Sequence, residues 1–288
     1  MSQCRRFARI AVLVAAASSA GCSRGGSKIT LRYHPPAGAT YHYALEQRNG
    51  MKFESGPMAQ MPEQDLTMRM FFTQSITGPA QGGIGVSVRF DSTSIQSPLM
   101  APGATGPALD QLRGTTSTFV YDDRMNIVSS DFAALPGGGS PISQQLSHNI
   151  KGMAFPLPDK PVGVGDSWTA ESDLPLSQLG GAASPITAKT LITVKQITAS
   201  GPDTTVLLGM QTTFPGAPIE VKQQGQTLIL KLAGTLTGEQ EFSVTRGASV
   251  HSSMGGTLSV NVSGGPAGAE GMGMSMQQST TVQLSESK

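Results

Sequence analysis

Cysteine, charge and histidine are all scarce in this chain. Its 288 residues hold two cysteines, Cys4 and Cys22, four histidines and one tryptophan, and only 14% are charged. Cys4 and Cys22 both fall near the N-terminus, so no disulfide can cross-link the body of the protein, and its stability must come from a packed core. No Lys/Arg-rich run occurs, and removal of Arg5, Arg6 and Arg9 with an N-terminal leader leaves 17 basic against 19 acidic side chains, a net charge of −2. Nucleic-acid binding needs clustered cations that release counterions; it is not expected here. The longest apolar run, Ile10 to Ala17, is far shorter than the roughly 20 residues that span a bilayer.

That run follows the three arginines and precedes small residues up to Cys22, the layout of a secretory signal peptide. The ending Ser19-Ala20-Gly21-Cys22 resembles the bacterial lipobox, although Ser19 stands where leucine is preferred. The resemblance implies a leader over residues 1–21, lipidation of Cys22 with thioether-linked lipid and acyl chains such as palmitate, and a flexible tether over 22–28. It also implies a protein anchored in a bacterial envelope and facing the periplasm. Ser23, rather than aspartate, after the cysteine favours the outer membrane over the inner. The other reading is an ordinary signal peptide cut near Ala20, leaving Cys22 as a free thiol.

Beyond the tether the pattern has the period of two that marks half-buried β-strands. Leu66, Met68, Met70, Phe72 and Ile76 alternate with polar neighbours, and Ile84, Val86, Val88 and Phe90 do the same after a turn-forming Thr77-Gly78-Pro79 to Gly83 stretch. Further strands are expected at Ile29–His34, Thr40–Arg48, Thr116–Asp122, Asn126–Ser130, Thr187–Ile197, Thr204–Phe214, Gln226–Leu232, Leu236–Val244, Val250–Val262 and Met276–Leu284. Helix is rare. Ser140-Pro141 followed by Ile142, Leu146, Ile150 and Met153 predicts one amphipathic helix, with shorter turns at Pro107–Arg113 and Leu174–Leu179. Strands of one character continue throughout, so residues 29–288 are expected to form a single antiparallel β domain.

Gly165-Asp166-Ser167 raises the question of catalysis, because it matches the opening of the nucleophile motif of GDS-type esterases. None of His34, His42, His148 and His251 is preceded three residues earlier by aspartate, and a serine without a base is a poor nucleophile. The turn reading explains more of the stretch: Gly163 and Gly165 supply backbone freedom, Asp166 caps the turn, and Trp168 anchors the following strand at the sheet rim. Gly82-Gly83-Ile84-Gly85 precedes a strand and lacks the helix N-terminus that would cradle a phosphate. Asp122-Asp123 reads as a hairpin turn and not as a calcium loop.

Met58 and Met61, Met68 and Met70, and Met272, Met274 and Met276 echo thioether clusters that hold Cu(I). Methionine is also a flexible filler of cores and apolar binding surfaces. His34 and His42 flank a Pro35-Pro36-Ala37-Gly38 turn without a third ligand close in sequence. No metal or other cofactor is therefore expected.

Three stretches, LRYHPPAGATYHYAL from Leu31, FPLPDKPVGVGDSW from Phe155 and GTLTGEQEFSVTRGASVHSSMGGTL from Gly234, together with the lipobox, resemble an uncharacterised family of bacterial lipoproteins. That family is known only as a domain of unknown function, family 6263. The shared positions are of strand and turn type, so no catalytic residue comes with the resemblance. The expected architecture is also similar to the LolA/LolB lipoprotein carriers, which implies a large curved antiparallel sheet, a half-barrel, with short helices over its concave face. Such a face, lined by Leu66, Met68, Met70, Phe72, Ile84, Val86, Val88 and Phe90, could shelter an acyl chain. The expectation is a non-enzymatic, lipid-anchored envelope protein that binds an apolar ligand or a protein partner. The alternative is a structural lipoprotein whose core is filled by its own side chains, and the GDS-type hydrolase and Cu(I) readings rest on less.

Overall fold

A computed structural model describes residues 28–97, 112–131, 155–174, 186–223, 226–264 and 271–287. The expected helix from Ser140 to Met153, the turn at Leu174–Leu179 beyond its first residue, and Cys22 with its leader lie outside the described residues. Among the described residues no helix is found, and none is long and apolar enough to cross a membrane.

Eleven strands form one antiparallel sheet. They are β1 (Thr40–Ser55), β2 (Gln64–Ala80), β3 (Gly83–Gln96), β4 (Thr116–Tyr121), β5 (Ile127–Asp131), β6 (Ser167–Leu174), β7 (Ile186–Ser200), β8 (Asp203–Gln223), β9 (Gln226–Ser243), β10 (Ala248–Gly264) and β11 (Met272–Ser287). The spatial order is β5-β4-β3-β2-β1-β11-β10-β9-β8-β7-β6. The chain meanders outward from β1 to one edge, passes to the other edge, and meanders back until β11 pairs with β1. Two edges remain, so the sheet is open, mainly β as expected but not a closed barrel.

The sheet curls strongly enough that inward residues of β2 and β3, such as Phe72 and Phe90, share a core cluster with Ile192 of β7 and Val206 and Leu208 of β8. Two features permit that curl. Register shifts interrupt the ladders at Phe71/Phe72, Val120/Tyr121, Val194/Gln196, Pro215/Pro218 and Ser249/His251, and each bulge bends its strand and tightens the local twist. Inward-facing Gly234 and Gly238 on β9 lie so close to β10 that a β-carbon at either would strike the backbone of Thr257 or Ser253. Gly234 sits at φ 143°, which splits what reads in sequence as two strands, 226–232 and 236–244, while leaving one continuous β9. The expected strand at Ile29–His34 is instead a segment outside the strands with a single bridge, Ile29 to Val162.

With no disulfide available, the core carries the stability. Tyr33, Phe72, Phe90, Phe119 and Phe242 are each about fully buried, and a buried side chain of this size contributes about 1.5–3 kcal/mol relative to exposure. All four tyrosines of the chain, Tyr33, Tyr41, Tyr43 and Tyr121, belong to this cluster. Tyr43 stacks on Phe72 at 5.3 Å, and Tyr33 meets Tyr121 at 5.3 Å in a tilted pair. The Gly238→Ala variant is expected to lose about 2 kcal/mol of stability, because the new methyl must push β10 away. A denaturant midpoint equal to that of the wild type would show that the two strands can separate without cost.

Candidate functional site

Inward-facing positions follow a gradient along the strands. At the end near the β9–β10 turn lies the aromatic core. Next come two rungs in which uncharged polar residues mix with apolar ones, the polar ones concentrated on β1 and β11, and the far end is apolar again. One rung of the middle belt runs Asn49, Gln278, Gly256, Leu236, Thr212, Thr190 across β1, β11, β10, β9, β8 and β7, and the adjacent rung runs Gln47, Thr280, Met254, Gly238, Met210, Ile192. Thr190 and Thr212 bond to each other at 2.8 Å, and Gln47 Nε2 donates to Asn49 Oδ1 at 3.4 Å. An open groove of about 630 Å³ lies over the outer face at this level, lined mainly by the outward residues Arg48, Gly50, Asp65, Thr67, Gly255, Gln277 and Ser279.

Beyond the belt the rungs read Met51, Met276, Leu258, Gly234 and Phe214, then Phe53, Met274, Val260 and Leu232, then Met272, Val262, Leu230 and Ile219. Leu258, Leu230 and Phe214 are buried in a second core cluster, whereas Met51, Phe53, Leu228, Leu232, Val260, Val262, Met274 and Met276 are only half-buried. A sheet face of this kind presents contiguous apolar surface, which marks a binding region more often than a bare surface.

Charge is absent from this entire face. Every Asp, Glu, Lys, Arg and His with a ladder partner on the described strands falls at an outward register position, including Glu46, Arg48, Asp65, Arg69, Arg89, Lys189, Glu239, Glu241 and His251, while Asp91 and Lys195 sit at bulges. Outside, these side chains pair with one another: Glu46 accepts from Arg48 at 2.7 Å and Arg69 at 2.8 Å, and Asp91 joins Arg89 at 3.0 Å and Thr73 at 2.6 Å. The hydrogen bonds from Arg69 and Arg48 hold the Glu46 carboxyl below the usual range.

The eight residues expected to line an apolar site occupy the concave face, but most are already covered by protein. Met70, Phe72, Val86, Val88 and Phe90 are at most 2% exposed and sit inside the core with Met68, while Ile84 packs against it. Leu66 is half-buried, beside the polar belt. The space left among Tyr33, Tyr43, Phe72, Gln74, Tyr121 and Ser249 is a cavity of about 60 Å³. That admits a few waters, whereas ligand pockets begin near 300 Å³. Burial raises the phenols of Tyr33, Tyr43 and Tyr121 well above their ordinary range, so they remain protonated donors. Tyr43 donates to the Ser249 carbonyl at 2.9 Å and Tyr41 to that of Arg246 at 3.3 Å, while Tyr33 Oη accepts from Gln74 at 3.1 Å.

Gly163, Gly165, Asp166 and Trp168 belong to a clasp that links the two sheet edges. Ile29 and Val162 exchange backbone bonds at 2.9 and 2.8 Å, Tyr33 N donates to Asp123 O, Leu157 N to Arg124 O, and Gly165 N to Val194 O. Gly165 takes φ 92°, and Asp166 Oδ2 accepts from Gly163 N and from Lys28 Nζ, both at 3.0 Å. Trp168, half-buried against the core, donates its indole N–H to Pro156 O at 2.8 Å. Ser167 is exposed at the first position of β6. The described histidines are engaged elsewhere or exposed: His42 with Thr73, His251 with Gln283, His34 in the solvent. Asp122 caps its hairpin, accepting from Arg124 N and Asn126 N, with Met125 at φ 62°.

The methionines divide among three places. Met58 and Met61 are exposed on the β1–β2 connection, Met68 and Met70 are in the core, and Met272, Met274 and Met276 interleave with Phe53, Val260 and Val262 on the apolar far end. Among the described residues no group of three or more His, Cys, Asp and Glu could hold a metal ion.

No family model and no curated protein matches the chain. A solved structure described as "Lipid-protein interactions in lipovitellin" is similar in fold, with a TM-score of 0.52 at 10% identity. The match covers 89% of this chain and 26% of that one, so the chain spans about a quarter of the protein it resembles. At that identity the likeness concerns the fold alone.

The clasp generates a pH prediction. Gly163 N–H and Lys28 keep the folded-state pKa of Asp166 below its ordinary value. A carboxyl lowered in the folded state stabilises the protein above the unfolded pKa, near 4, and that contribution disappears as pH falls through the folded value. Wild-type stability is therefore expected to fall more steeply than that of Asp166→Asn on acidification below about pH 5. Parallel stability curves for the two proteins would remove Asp166 from the account.

Proposed function

We propose that this protein is a non-enzymatic, lipid-anchored envelope protein that binds the apolar chains of a lipid on the open end of its concave sheet. The observation that carries the reading is the half-buried apolar field of Met51, Phe53, Leu232, Val260, Val262, Met274 and Met276 on a face without charge. Apolar chains laid on it would remove that surface from water at about 25 cal/mol per Å². The fold likeness to a lipovitellin structure described for its lipid–protein interactions is compatible with the reading. The aromatic end acts as scaffold: it is packed to within a cavity of about 60 Å³, and it holds the sheet in the curl that shapes the open end. Cys22 would tether this binding face to the membrane that supplies the lipid.

Organic extraction of the purified protein followed by mass spectrometry is expected to recover lipid near one per chain. Val260→Asp or Met276→Asp should abolish recovery, while Leu191→Asp on the outer face should not. Folded protein without lipid, or equal loss in all three variants, would overturn the reading. For the anchor, Cys22→Ser is expected to move the protein from the membrane fraction to the soluble fraction; its retention on membranes would refute lipidation at Cys22.

A further inference from the structure

Resting on the reading above, that lipid chains lie against the open end, we propose that the bound lipid is an uncharged ester of the diacylglycerol class, and neither a fatty acid nor an anionic phospholipid. The polar belt lies directly beside the apolar field, so chains resting on Met51, Met276, Val260 and Leu232 place their polar linkage at Asn49, Gln278 and Thr280. Side-chain amides and hydroxyls donate to ester carbonyls and accept from a free alcohol. They supply no counter-charge.

An ionised carboxylate or phosphate brought onto this face would lose hydration without meeting an inward cation among the described residues. An ester loses far less, because its weaker hydration is replaced by neutral donors. The sequence between the described segments changes little: residues 98–111, 132–154, 175–185, 224–225 and 265–270 contribute one lysine, Lys151, and no arginine. Gly256 leaves one inward position of the belt without a side chain.

The test presents the purified protein with phosphatidylcholine vesicles carrying labelled dioleoylglycerol, dioleoylphosphatidylglycerol or oleate, then re-isolates it and quantifies the label. Dioleoylglycerol is expected to load at least about tenfold better than either anion. Equal or better loading of an anion overturns this inference and leaves the apolar reading standing. Failure to load any of the three overturns both.

Thr280→Lys places a cation in the belt, and it is expected to shift the oleate to dioleoylglycerol ratio by about tenfold toward oleate. Gln278→Lys serves the same purpose should the first variant fail to fold. An unchanged ratio in a folded lysine variant would show that the polar end of the lipid lies away from the belt, and it would overturn the assignment.

Discussion

An open sheet of eleven strands keeps its curl only if something joins its two edges, and here that is the backbone clasp between residues 28–33 and 155–166. The reciprocal Ile29 and Val162 bonds, with Tyr33 to Asp123 on one side and Gly165 to Val194 on the other, connect the β4–β5 turn to β7 across the gap. Arg32 and Arg124 reinforce the joint, donating to the carbonyls of Pro158 and Leu157 and pairing with Asp123 and Asp159. These ion pairs are largely exposed and individually weak. Their weight lies in fixing the geometry through which Leu31, Tyr33, Leu157 and Val162 cap the core.

Given that joint, the gradient along the concave face follows from geometry. Where the clasp draws the edges together, inward side chains from distant strands meet and fill the space, and the aromatic cluster excludes water down to a small cavity. Farther along the strands, the inward apolar residues have fewer neighbours and stay half-buried. A filled end and an open end thus coexist on one sheet. The two expectations set against each other from sequence differ in what they require of this face: a filled scaffold needs the packing seen at the aromatic end, and a binding half-barrel needs the half-buried end to take a ligand.

Partition of charge gives the two faces of the sheet different chemistry. Acidic and basic side chains pair along the outer face, where water screens them, while the inner face offers only amides, hydroxyls and hydrocarbon. That partition also explains the low charged fraction of the chain: one of the two faces of nearly every strand carries none.

Alternation in the sequence determined that the protein is built of antiparallel strands, which residues of each strand share a face, and where many strands begin. Leu66 to Phe72 and Ile84 to Phe90 show a clean period of two, which on β3 ends at the bulge of Asp91, beyond which Thr93 and Ile95 take the inward positions, and the GDS stretch reads as a glycine turn capped by aspartate because such dihedrals and caps are local. Which inward stripe is covered was not local. Leu228, Leu230 and Leu232, Leu258, Val260 and Val262, and Met272, Met274 and Met276 alternate as cleanly as Met68, Met70 and Phe72, and nothing in either pattern says how many strands away the opposing residues lie. Only the tertiary structure decided that, because the curl and the clasp bring β3 against β8 at one end of the strands and leave the other end apart.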